Sequence, residues 1–141
     1  MGTNRDMDVT LLLVAEAANI SREGNLNLLG VFDGIAFRKL PEKLPPCVVV
    51  FQCQIPRAEF GIQKSVSVIL EDHDGTKLWE SEGLISVEQD SPDTSARIGV
   101  VIDCEDVTIT SANTHQFRIM INGDTKKHSS LDIILKDAES E

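Results

Sequence analysis

Apolar and polar residues alternate with a period of two over most of the chain, the pattern of strands that bury one face. The alternation is cleanest between Ile62 and Glu71: Ile62, Val66, Val68 and Leu70 point inward, while Gln63, Ser65, Ser67 and Glu71 point outward. The same period recurs in Ile98, Val100, Ile102 and Cys104, in Phe117, Ile119 and Ile121, and in Leu131, Ile133 and Leu135. Turn-forming residues separate these runs. Ser21-Arg22-Glu23-Gly24-Asn25 and His73-Asp74-Gly75 reverse the chain, and Asn122-Gly123 predicts a two-residue hairpin turn. Asp33-Gly34 interrupts another run, as a bulge or a turn, before Pro41, Pro45 and Pro46 close a loop.

The stretch Val9 to Ala18 contains good helix formers, but its length and the turn after it favour a strand paired with the next in a hairpin. In that next strand Leu26, Leu28, Gly30 and Phe32 share the inward face. Two segments, Leu11 to Val14 and Val48 to Phe51, are apolar on both faces, as expected of central strands or strands covered by a partner. No strand–helix alternation calls for a parallel sheet, and nothing repeats at a fixed period. The pattern predicts an all-β fold, a single-domain antiparallel β-sandwich of about eight strands. Residues 1–7 read as a polar flexible tail, 8–136 as the sandwich, and 137–141 as a free acidic tail.

Length agrees: 141 residues suit one domain that buries its core without disulfides or metals. The 13 basic and 23 acidic residues give a net charge of −10, which repels nucleic acid and anionic membranes. The densest basic run, Lys126-Lys127-His128, sits near Asp124. Aromatic residues make up 4%, with one Trp and no Tyr, few for stacking bases or sugars. No apolar window reaches a membrane span or a secretory signal core, and Asp6 stands where a myristoylation motif needs Ser or Thr. Cys47, Cys53 and Cys104 cannot all pair, and Cys47 and Cys53 lie too far apart along one strand to bridge. A reducing, cytoplasmic location is the expectation.

Chemistry is sparse. Glu71-Asp72-His73-Asp74-Gly75 resembles part of a calcium loop, but Lys77 and Leu78 follow where further oxygen ligands belong, and Asp-Gly is an ordinary hairpin reversal. Asp90, Asp93, Asp103, Glu105 and Asp106 are possible donors from other loops, with no favouring spacing. With a two-residue turn, His128 falls opposite Phe117 and diagonal to His115, and both histidines read as surface residues of a polar hairpin. The cysteines sit in apolar strand patterns, as small core residues do. Glu59 beside Gly61 reads as a solvated loop carboxylate, and Trp79 as an inward anchor. Nucleophile-elbow, phosphate-loop, dinucleotide and zinc-protease motifs are absent from the sequence. No catalytic, cofactor-binding or metal-binding residue is assigned, and no cofactor.

Several stretches together resemble a widespread family of small uncharacterised bacterial proteins, domain of unknown function 6941. They are Asp8-Val9-Thr10-Leu11-Leu12, the run from Gly24 to Asp33 (GNLNLLGVFD), Pro45-Pro46, Glu59-Phe60-Gly61 and Leu70 through Gly75. The resemblance implies a β-sandwich with no assigned activity. It also implies a His where this chain has Gln63, which argues against a catalytic role for that position.

Three functions compete. The first is a non-enzymatic binding or assembly module acting through protein–protein contacts, as a homo-oligomer or with a protein partner, since the doubly apolar strands need cover. The second is a calcium-dependent or carboxylate-based enzyme using Asp72, Asp74 and Glu59. The third is a sandwich that binds a small ligand between its sheets, a reading that the shortage of aromatics weakens for sugars.

Overall fold

The computed structural model describes residues 7–136. Eleven strands form among them: β1 (Asp8–Ile20), β2 (Leu26–Phe32), β3 (Gly34–Phe37), β4 (Glu42–Lys43), β5 (Cys47–Pro56), β6 (Lys64–Glu71), β7 (Lys77–Ile85), β8 (Ser95–Cys104), β9 (Thr108–Ile109), β10 (Thr114–Ile121) and β11 (Asp124–Leu135). The helical content of the described residues is one 3-10 turn, Arg57–Glu59. No helix is long and apolar enough to cross a membrane.

Two sheets pack face to face. One has the order β2-β1-β5-β8 and the other β3-β11-β10-β6-β7, while β4 and β9 form a two-residue ribbon beside them. The expected sandwich is present, with nine strands in its two sheets and two more in the ribbon. Every pair is antiparallel except β3 with β11, which run parallel. Asp33-Gly34 is neither a bulge nor a hairpin turn: it carries the chain from the first sheet to the second. The Asp33 carbonyl accepts a hydrogen bond from the Asp132 N–H at 2.9 Å, which docks the crossing on β11.

The core lies between the inner faces. Val49, Phe51 and Cys53 from β5 meet Val68 and Leu70 from β6 and Phe117 and Ile119 from β10, all at or near zero exposure. Full burial of side chains of this size contributes about 1.5–3 kcal/mol each. Trp79 on β7 points inward as expected and packs its edge against Phe117, 6.3 Å between centroids at 80°. Met7, assigned by the sequence to the tail, is buried in this core. Residues 1–6 and 137–141 lie outside the described residues.

The doubly apolar segments find cover within the chain. Val50 and Ala15, which point away from the core, are fully buried. The long β1–β2 hairpin reaches across the outer face of its own sheet, and a Cβ added at Gly99 of β8 would sit 2.9 Å from Leu26 Cδ2. The apolar surplus that reaches solvent lies elsewhere, above all on β2, where Leu29 is 67% and Val31 55% exposed. Ile62 is also exposed instead of inward. The first inward position of β6 belongs to Lys64.

Candidate functional site

The 3-10 turn Arg57–Glu59 folds the Glu59 carboxylate under the start of β6. There Glu59 Oε1 accepts a hydrogen bond from Lys64 Nζ, and both residues are buried, at 7% and 9% exposure. This is a correction: Glu59 is not a solvated loop carboxylate. A charge at this depth needs a partner, and Lys64 supplies it from the inward face of the strand. Glu59 Oε2 has no hydrogen-bond partner. The pair opens on a polar cleft of about 140 Å³, which Met7, Asn122, Asp124 and Lys126 complete. The pair neutralises itself and ties the turn to the sheet, and no thiol, hydroxyl or imidazole lines the cleft. The sequence held a signal for it, since Lys64 occupies an inward position of the clearest alternation in the chain.

The other carboxylates do not join Glu59. Asp72 follows β6 at its far end, eight residues or about 26 Å from Lys64 at strand rise. Its Oδ1 accepts the backbone N–H groups of Asp74 and Thr76, both at 2.9 Å, and Gly75 adopts a φ of +84°. The segment is therefore a side-chain-capped turn, with the Asp72 carboxylate already occupied by backbone donors. Asp90, Asp93, Asp103, Glu105 and Asp106 form no cluster with it. Among the described residues, no three His, Cys, Asp or Glu side chains group to hold a metal ion.

The histidines separate as well. Asn122-Gly123 makes the expected two-residue turn, with Ile121 opposite Asp124, but a bulge between Ile119 and Met120 shifts the register beyond it. His128 therefore faces Arg118 instead of Phe117, on the side of the sheet away from His115. His115 is not a surface residue. It is fully buried, with Nδ1 3.1 Å from the Asn113 carbonyl oxygen and Nε2 without a partner.

All three cysteines are free and buried, as the sequence implies. Burial pushes the Cys53 thiol up to about 12, with the Asp8 charge adding to the effect. Between the sheets, a gap of about 190 Å³ opens where β7 and β8 flank the core, lined mainly by Phe51, Val66, Val68, Leu84 and Val100. It is smaller than the usual ligand pocket of about 300–1,000 Å³.

The broadest unfilled feature is an edge. Four strands end the two sheets: β2, β8, β3 and β7. β7 carries Lys77, Glu80 and Glu82, β8 carries Arg97 and Asp103, and β3 is four residues long. Charges and shortness are the ordinary protections of an exposed edge. β2, Leu-Asn-Leu-Leu-Gly-Val-Phe, is seven residues long with no charge and no proline. The left-handed Gly30, with φ of +68°, kinks it and leaves Leu26 to Leu29 as its regular part.

The fold and these features define a two-sheet β-sandwich with a self-neutralised buried ion pair and one unprotected edge. The chain belongs to the family of unknown function DUF6941, whose model matches residues 10–134. No curated protein matches the sequence. Among solved structures, the Pseudomonas fluorescens alkylpurine DNA glycosylase AlkC, bound to DNA containing an abasic site analog, is similar in fold at 11% identity and a TM-score of 0.50. The match covers 92% of this chain and 30% of that one, so this chain spans less than a third of its length.

Proposed function

We propose that this protein is a non-enzymatic assembly module that pairs with a second copy of itself along the free edge of β2. The observation that carries the reading is the edge itself, uncharged over its whole length, with Leu29 and Val31 open to solvent. Two copies related by a two-fold axis would align β2 antiparallel to β2 and join two four-stranded sheets into one of eight. The main-chain groups of each edge then find partners, and the leucines of the two copies cover one another. A second copy suits the strand because each molecule has a net charge of −10 and β2 is a seven-residue strand without charge. The same overall charge disfavours nucleic acid as the partner. Light scattering after gel filtration is expected to give about twice the 15.5 kDa of one chain. A single-chain mass at all concentrations would sink the proposal.

A further inference from the structure

Cys47 opens β5 and Cys104 closes β8, and the register sets them directly opposite each other. Their neighbours two residues along, Val49 and Ile102, are also opposed, so both thiols lie on the core face. Opposed residues of antiparallel strands have Cα atoms about 4.5 or 5.5 Å apart. Both spacings fall within the roughly 4.4–6.8 Å that a disulfide spans. Cys53, opposite Ile98, is six residues further along the same strand and out of reach of either.

The pair is buried but not sealed. Cys47 lines a cleft of about 250 Å³ with Glu16, Phe32, Ile35, Pro45 and Pro46. A molecule the size of water occupies about 30 Å³ in the liquid, so a small oxidant fits. The two sulfurs also differ in character. The nearness of Cys104 holds Cys47 below the usual thiol range, while Cys47 and burial push Cys104 up. Cys47 is the thiol that faces the cleft and meets an oxidant first, with Cys104 behind it at 1% exposure. Glu16 is the charged side chain in the cleft wall, and the chain as a whole is strongly acidic. An anionic oxidant is repelled there, whereas a small neutral one is not.

We propose that Cys47 and Cys104 are a peroxide-oxidisable dithiol, with Cys47 the attacking and Cys104 the resolving residue. The Cys47 thiolate attacks one oxygen of hydrogen peroxide. An S–O bond forms, the O–O bond breaks, and the departing hydroxide takes the proton released by the thiol and leaves as water. The Cys104 sulfur then attacks the Cys47 sulfenic acid. The S–S bond forms, the S–O bond breaks, and hydroxide leaves with the Cys104 proton as a second water. Two thiols are oxidised to one disulfide, and one peroxide is reduced to two waters.

The test is thiol mapping of the native full chain after one equivalent of hydrogen peroxide, with alkylation in denaturant and peptide mass analysis. Alkylated cysteines should fall from three to one, with Cys53 the one left and Cys47 joined to Cys104. Dithiothreitol should restore all three. Cys53→Ser should behave as the wild type, and Cys104→Ser should leave a Cys47 sulfenic acid that dimedone traps. Glutathione disulfide, an anionic oxidant, should leave three free thiols over the same interval. Three alkylated cysteines after peroxide, or Cys53 in the joined peptide, would overturn the dithiol. Equally fast reaction with glutathione disulfide would overturn the role of the cleft in selecting the oxidant.

Discussion

Lys64 and Glu59 hold each other's charge largely buried at the floor of a polar cleft, so neither can be removed alone without consequence. Lys64→Met leaves a carboxylate buried and unpaired, and should lower stability by about 3–5 kcal/mol. Glu59→Leu combined with Lys64→Met removes both charges and should recover most of that loss. Urea midpoints with an unchanged dependence on denaturant would measure both; a Lys64→Met midpoint equal to wild type would contradict the burial of the pair. Cys53 makes a second prediction at this scale. Its folded-state value is raised from 9.0 to about 12. The unfolded chain therefore gives up this proton first, and the protonated thiol contributes its full stability below about pH 9. That contribution disappears as pH climbs through about 12. The urea midpoint should fall across this window, and Cys53→Ala should make the fall shallower. An identical slope in the variant would place the effect in other groups.

At the scale of the element, backbone geometry decides what a strand can do. Gly30 holds a φ of +68° opposite Glu16, and a Cβ added there would lie 2.5 Å from the Glu16 side-chain carboxyl carbon. That side chain is flexible and can swing aside, but the left-handed backbone cannot relax without disturbing the β1–β2 pairing. Gly30→Ala should therefore cost about 1–2 kcal/mol, and adding Glu16→Ala should not restore it. Full recovery in the double variant would mean that contact, not backbone strain, sets the cost. The bulge in the β10–β11 hairpin works on the same scale. One extra residue on β11 moves His128 to the opposite face from His115 and dissolves a histidine pair that the regular alternation would have made.

Across the whole molecule, the sandwich buries most of its apolar residues, and β2 carries three of the large ones left exposed, Leu28, Leu29 and Val31. The outward faces of β1 and β5, which the sequence marks as needing cover, are covered at Ala15 and Val50, and Leu26 of the hairpin reaches Gly99 on β8. Leu29 and Val31 stay more than half exposed among the described residues. Self-association through β2 makes a specific mutational prediction. Leu29→Lys with Val31→Lys places like charges from two copies against each other and should turn a two-chain mass into a one-chain mass by light scattering. The change should occur without loss of thermal stability in the monomer, because both side chains are solvent-exposed there. If the double variant keeps the two-chain mass, the contact lies on another surface.

Alternation of apolar and polar residues, with Asp-Gly and Asn-Gly at the reversals, was enough to determine an all-β sandwich and the course of its longer strands, because side-chain direction in a strand is a local property. It also determined the inward Trp79, the buried cysteines and the turn at Asp72–Gly75. Short strands such as β3, β4 and β9 carry too few residues to show a period. The parallel pairing of β3 with β11, the burial of Glu59 against Lys64, the register slip at His128 and the opposition of Cys47 to Cys104 were decided by tertiary structure. The strand pairing and the cysteine opposition depend on which distant parts of the chain come together, while the ion pair and the slip depend on a 3-10 turn and a bulge that no alternation records. Likewise, β1 and β5 advertise themselves locally as uncovered, but in the folded chain Ala15 and Val50 are buried while Leu29 and Val31 of β2 are exposed.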